Sequence, residues 1–232
     1  MPLEESDFTS RLAAVEERIH LASQRSGRKR ESVTLVAVSK KFPADRMAAA
    51  YRAGMREFGE NYVQEFAEKR PALANLADAR YHLIGHLQSN KSRQACELFH
   101  VIQTVDSPKL LKRLDLSAGE RGETIEVMIE VKLSLEESKS GADPAEIPAV
   151  LDAAAACPHI ALSGLMTMPP WSEDPEQSRP YFRQLAALAR QYNLPKLSMG
   201  MSGDLETAIE EGATIIRVGT ALFGRRPKPL SV

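Results

Sequence analysis

Lys40 stands directly after the apolar run Leu35-Val36-Ala37-Val38-Ser39, so an amine sits where a buried strand should run out into a loop. A lysine partly desolvated at such a place has its amine pKa pushed down, and the neutral amine attacks an aldehyde to form an imine. Far downstream the last apolar strand ends in Arg217-Val218-Gly219-Thr220-Ala221-Leu222-Phe223-Gly224, a small-residue turn leading into a short helix. Barrels build phosphate pockets in this way.

Alternation along a strand separates the paired lysines. Val36, Val38 and Lys40 point one way, and Leu35, Ala37, Ser39 and Lys41 the other, so only one lysine can enter a barrel. Ser198-Met199-Gly200-Met201-Ser202-Gly203-Asp204-Leu205-Glu206 follows the seventh apolar run, with Ser202 suited to cap a helix and Glu206 in its first turns. Ser202, Gly219 and Thr220 then offer hydroxyls and unobstructed amides to a dianion. Arg217 lies two residues before Gly219 and shares its face, pointing inward if Ile216 and Val218 pack against helices. One amine and one phosphate cup together suggest pyridoxal phosphate, with Arg217 facing its pyridine nitrogen and keeping that nitrogen unprotonated. Such a ring is a weaker electron sink than one paired with a carboxylate.

The elements that must position these residues alternate between apolar runs and amphipathic stretches, as parallel βα units do. Strands are expected at 33–39, 57–59, 80–84, 100–105, 124–131, 160–166, 197–199 and 214–218. A leading helix spans about 6–25, capped by Asp7 or Thr9, and further helices are expected at 44–53, 62–76, 91–98, 108–120, 144–156, 175–192 and 205–211. Eight such units close most naturally into a (β/α)8 barrel, an α/β fold here preceded by one extra helix, although an open doubly wound sheet has the same alternation. Barrel sites gather at the carboxyl ends of strands, so Ser39-Lys40-Lys41, Gly59-Glu60-Asn61, Tyr81-His82 and Gly85-His86-Leu87-Gln88-Ser89-Asn90-Lys91 converge on one mouth. The loop Pro169-Pro170-Trp171-Ser172-Glu173-Asp174-Pro175 is a rim feature, and Arg225-Arg226-Pro227-Lys228-Pro229 a solvated tail.

The chain has 232 residues, enough for one large core, so residues 1–232 are expected to form a single domain. Thirty basic and 31 acidic residues are spread along it, leaving no electrostatic footprint for nucleic acid or an anionic membrane and favouring a small ligand. With only Cys96 and Cys157, no basic leader and no apolar stretch approaching the roughly 20 residues that span a bilayer, a cytoplasmic protein is expected. His20, His86, His100 and His159 show no metal-ligand spacing. His82 stands alone on a strand, either packed beside a ring or hydrogen-bonded in the core. Ser202 lacks a nucleophile-elbow context, which argues against hydrolysis.

The motifs Ala37-Val38-Ser39-Lys40, Phe58-Gly59-Glu60-Asn61-Tyr62-Val63-Gln64-Glu65, His82-Leu83-Ile84-Gly85-His86-Leu87-Gln88-Ser89-Asn90-Lys91, Ser138-Lys139-Ser140-Gly141, Gly164-Leu165-Met166-Thr167-Met168 and 217–224 occur in one order. Over nearly the whole chain this resembles the pyridoxal 5'-phosphate homeostasis proteins, or proline synthetase co-transcribed homologues. The resemblance implies an alanine-racemase-like barrel with Lys40 as the Schiff-base lysine and Ser202, Gly219 and Thr220 at the phosphate. It also implies Arg217 at the pyridine nitrogen, with Asn61 and Met199 to Met201 lining the cofactor; His82 is taken as a further cofactor neighbour. Family members are regarded as carriers or regulators of vitamin B6 and amino-acid pools. The chain stops soon after the eighth strand, without the C-terminal β domain of alanine racemase, from which a monomer that hands cofactor to apo-enzymes is expected. Two alternatives stay open. One is a racemase or related enzyme with Tyr62, His82 or Lys139 as second base, the other a phosphate-sugar barrel enzyme without a cofactor.

Overall fold

In the computed structural model, residues 5–134, 136 and 140–224 are described. Lys139 and the tail from Arg225 fall outside these residues. The first element, helix α1 (Glu5–Arg25), buries Val15, Ile19 and Ala22 at helical spacing, and Phe8 two turns earlier. Asp7 and Thr9 lie inside this helix rather than at its start, and Asp7 pairs with Arg11 one turn on.

Eight strands follow: β1 (Thr34–Val38), β2 (Glu57–Glu60), β3 (Arg80–Leu83), β4 (Val101–Val105), β5 (Ile125–Glu130), β6 (Ile160–Met166), β7 (Lys196–Ser198) and β8 (Ile215–Val218). All neighbours pair in parallel and β8 returns to β1, with Val36 beside Arg217, so the sheet is a closed barrel. The open-sheet alternative is thereby set aside. Between strands run α2 (Ala44–Arg52), α3 (Val63–Lys69), α4 (Ser92–Leu98), α5 (Pro108–Gly119), α6 (Ile147–Ala155), α7 (Arg179–Gln191) and α8 (Leu205–Glu210), and α9 (Thr220–Phe223) closes the described chain.

Element boundaries follow local chemistry. The helix expected over 62–76 stops as an α-helix at Lys69 and tightens into a 3-10 turn through Arg70–Leu73, because Pro71 has no N–H to continue the ladder. Ser107 caps α5 by accepting from the Leu110 amide at 3.4 Å. Asp143 and Glu146 form a reciprocal capping box in the 3-10 turn that leads into α6.

The two faces of the barrel strands have different chemistry. Leu35, Ala37, Phe58, Tyr81, Leu83, Ile102, Val127, Ile129, Ile216 and Val218 belong to the large apolar core between sheet and helices. Inside the barrel, among the described residues, Val36, Met128 and Ile215 form a small apolar cluster. The remaining interior is largely polar, in contrast to the branched aliphatic layers usual for this architecture. Helix α1 packs against α8 and α9, joining distant parts of the chain: Phe8 and Phe42 both contact the Phe223 ring, at 5.3 and 5.2 Å between centroids.

Candidate functional site

A cavity of about 380 Å³ opens at the carboxyl ends of the strands, a size ordinary for a small-molecule site. Lys40, Asn61, Ser202, Arg217, Gly219 and Thr220 all line it. Strands β1, β2, β7 and β8 bring these residues together, each through the polar position just after or near the end of an apolar run. Lys41 is exposed and adopts a left-handed backbone (φ 65°), which turns the chain off the strand and leaves Lys40 as the lysine of the pair that enters the barrel.

The segment carrying Lys40 is clamped from behind. Ser39 Oγ donates to Glu60 Oε1 at 2.8 Å, and Lys69 Nζ reaches the same oxygen at 2.9 Å and the Ser39 carbonyl at 3.2 Å. Glu65 accepts from Lys69 at 2.6 Å and from the backbone N–H of Lys41. The two neighbours of Lys40 are thus tied to one buried ion-pair cluster. Burial raises the Glu60 carboxyl above its usual range, a tendency opposed by the Lys69 ammonium. On the other side, the loop after β3 packs so closely that a Cβ on Gly85 would lie 2.3 Å from the Asn61 carbonyl oxygen. Only glycine permits that approach, which holds Asn61 at the cavity wall.

Arg217 forms the floor. It is 3% exposed, with Nη1 donating to Ser198 Oγ at 2.5 Å and Nη2 to the Thr167 carbonyl at 2.9 Å. A guanidinium carries five N–H donors, so several remain to face the cavity. Burial lowers its pKa to about 10, with Glu130 and Asp204 opposing the change, and the group stays cationic near neutrality. Glu130 is equally buried, with one carboxyl oxygen lacking a hydrogen-bond partner; desolvation lifts it to about 7, against the pull of Arg217.

At the opposite wall Ser202 Oγ accepts from the Ala221 amide at 3.3 Å, linking the loop after β7 to the start of α9. Ser202 does not cap α8. Asp204 occupies the position before that helix, while its carboxylate accepts from the Met201 amide at 2.7 Å and from Ser178 Oγ at 2.9 Å. The loop lengths decide this, since two residues separate Ser202 from the helix start. Arg18 of α1 braces the same loop, donating to the Ser202 carbonyl at 3.0 Å and gripping Glu206 at 2.6 and 2.8 Å. A Cβ on Gly219 would meet Val38 at 3.4 Å, an ordinary contact distance, inside the strip between β8 and β1.

His82 and Met199 do not line this cavity. His82 points into the barrel but one layer down, bonded to Glu57 at 2.6 Å and Gln103 at 2.9 Å, and it lines a second cavity at the opposite end. Ile84, two residues further along its face, is the one that reaches the mouth. Met199 is fully buried in the outer apolar core with Leu205, Ala208 and Ile216. Tyr62 is half-exposed and lines a neighbouring depression with His86 and Lys91. Sequence reasoning missed the Glu60–Lys69 clamp, for which the only signal was a Glu65-to-Lys69 spacing of four on a helix. It also missed Trp171 as a cavity-lining ring, 80% exposed on the rim loop.

Among the described residues no helix is long and apolar enough to cross a membrane, and no group of three or more histidine, cysteine or acidic side chains is arranged for a metal. A family profile described as alanine racemase, N-terminal domain matches residues 10–227. The chain is 42% identical over 222 residues to the pyridoxal phosphate homeostasis protein of Aquifex aeolicus, covering 93% of this chain and 97% of that one. PipY of Synechococcus elongatus, solved with PLP bound, is 44% identical with a TM-score of 0.79, covering 90% of this chain and all of that one. An alanine racemase of Clostridium difficile shares the fold at 12% identity, with a TM-score of 0.73 over 97% of this chain and 58% of that one. The chain belongs to the pyridoxal phosphate homeostasis protein family, on a barrel of the alanine racemase N-terminal type.

Proposed function

We propose that this protein binds pyridoxal 5'-phosphate in the upper cavity, holding it as a Schiff base on Lys40, and serves intracellular vitamin B6 and amino-acid homeostasis. The observation that carries the reading is the meeting of an amine, a buried cation and a phosphate-sized cup in one cavity: Lys40 at the end of β1, Arg217 on the floor, and Ser202, Gly219 and Thr220 across from them. The name and PLP-bound state of the relatives support the ligand. Asn61 also lines the cavity, and its buried Oδ1 lacks a hydrogen-bond partner.

The cofactor supplies an aldehyde and an aromatic ring; the chain's residues hold it. Lys40 would supply the amine that condenses with the aldehyde, with water as the leaving group, and the same exchange with an incoming amine would release the cofactor. Arg217 would donate to the ring nitrogen and leave it without a proton, which would disfavour carbanion formation. That arrangement suits a carrier that masks a reactive aldehyde and passes it to apo-enzymes. Of the groups considered as a second base for a racemase, neither Tyr62 nor His82 lines the cavity.

The test is absorbance and borohydride trapping. Purified protein given pyridoxal phosphate should show a visible Schiff-base band, lose it in Lys40→Ala, and become covalently labelled at Lys40 on reduction. A band unchanged in Lys40→Ala removes the lysine from the reading. For carrier against enzyme, single-enantiomer amino acids are incubated in heavy water; α-proton exchange at ordinary enzymatic turnover, of order 1 per second or faster, rejects the carrier.

A further inference from the structure

A continuous chain of hydrogen bonds crosses the barrel interior beneath the cavity. Arg217 Nη1 meets Ser198 Oγ at 2.5 Å, Ser198 Oγ meets Gln103 Oε1 at 2.6 Å, Gln103 Nε2 meets His82 Nδ1 at 2.9 Å, and His82 Nε2 meets Glu57 Oε2 at 2.6 Å. It links β8, β7, β4, β3 and β2. Ser198, Gln103, His82 and Arg217 are all buried, while Glu57 opens onto the second cavity, about 290 Å³ at the amino ends of the strands.

The chemistry of one end sets the direction of the whole chain. A guanidinium only donates, so Ser198 accepts from Arg217 and its own proton goes to the Gln103 carbonyl oxygen. The Gln103 amide then turns its NH₂ toward His82, whose Nδ1 must accept. The imidazole proton therefore sits on Nε2 and is donated to the Glu57 carboxylate. Every bond runs the same way, from Arg217 toward the second cavity, and aligned bonds polarise one another.

We infer that Gln103 and His82 are positioning residues for Arg217: the one-way chain holds the guanidinium at the floor of the upper cavity. This rests on Arg217 facing the ring nitrogen. With the Gln103 carbonyl as its acceptor, the Ser198 hydroxyl turns its lone pairs to Arg217; without that acceptor the hydroxyl is free to rotate and the guanidinium loses a fixed partner. At the far end Glu57 is itself held in place, 3.8 Å from Arg80, which also lies 3.2 Å from Glu126.

The inference is tested with pyridoxal phosphate labelled with nitrogen-15 in the ring, bound to the full chain and followed by NMR. In wild type the ring resonance should be that of a pyridine accepting a hydrogen bond. Gln103→Leu and Ser198→Ala should each move it toward that of a pyridine with a free lone pair. Arg217→Leu is the control: if it leaves the resonance unmoved, Arg217 is not at the ring nitrogen and the functional reading fails there. If Arg217→Leu moves the resonance while Gln103→Leu and Ser198→Ala do not, the positioning role is overturned and the functional reading stands. The ligand-free wild type gives an independent readout. Its His82 side chain should show the Nε2–H tautomer in imidazole nitrogen spectra, and the Nδ1–H tautomer would overturn the chain's direction.

Discussion

Replacing Glu130 by glutamine should stabilise the ligand-free protein at alkaline pH and hardly at all in acid. Glu130 is 2% exposed at the end of β5, with one oxygen unpartnered. Desolvation lifts its carboxyl from an ordinary 4.5 to about 7, with Arg217 opposing and Asp106 adding to the rise. The folded chain therefore binds more protons than the unfolded chain between these values. The stability tied to this group is full below pH 4.5 and is lost as the pH rises through about 7. Each tenfold change in an ionisation constant is worth about 1.4 kcal/mol, so keeping Glu130 ionised at about pH 8 costs the fold on the order of 3 kcal/mol. Glutamine keeps the shape and removes the ionisation. The advantage of Glu130→Gln over wild type should grow from about 1 kcal/mol at about pH 5 to about 3 kcal/mol at about pH 8. Urea unfolding at several pH values measures this, compared at equal m-values. A difference that stays constant across the range, or a variant weaker than wild type at pH 8, would refute the reasoning, because the Arg217 attraction would then outweigh the burial of the charge.

Lys69→Met should destabilise the fold by about 3–5 kcal/mol, since it leaves the buried Glu60 carboxylate without its cation, and denaturation midpoints report it. The same variant should weaken covalent trapping at Lys40, read as the fraction labelled by borohydride. Gly85→Ala should lower stability and ligand affinity together, because the new methyl collides with the Asn61 carbonyl; isothermal titration and thermal melts measure the pair. Arg18→Ala touches no ligand atom, yet it should raise the apparent dissociation constant for pyridoxal phosphate by loosening the Ser202 loop. Normal affinity in that variant would detach α1 from the site. Leu111→Ala, deep in the outer core, should cost about 2–5 kcal/mol without moving the Schiff-base band.

The period-two rule carries a long way in this chain. It separates Lys40 from Lys41 and Arg217 from its neighbours, and all eight strands fall within one or two residues of their expected places. Applied to Leu197-Ser198-Met199-Gly200, the same rule assigns Met199 to the outer face, where it is found. The rule names a face and not a height. His82 points inward as alternation requires, but how far each strand stands along the barrel axis depends on the stagger of neighbouring strands, which no single segment encodes. That is why Ile84 and not His82 reaches the mouth. The Glu60–Lys69 pair was illegible for a related reason: a strand end and a helix end meet only after the βα unit has closed. Ser202 failed as a cap because the boundary of a short helix is decided by its tertiary neighbours.

Arg18 holds Ser202 and Glu206 across almost the whole length of the polypeptide, and Phe8 rests on Phe223. The wall that should receive the phosphate is consequently among the last pieces to come together when the chain is made. Residues 202–223 must be made before the first helix finds its seat. Until then Lys40 is already synthesised but has no finished wall around it, so on the proposed function the ligand would load only after residue 223 has been made.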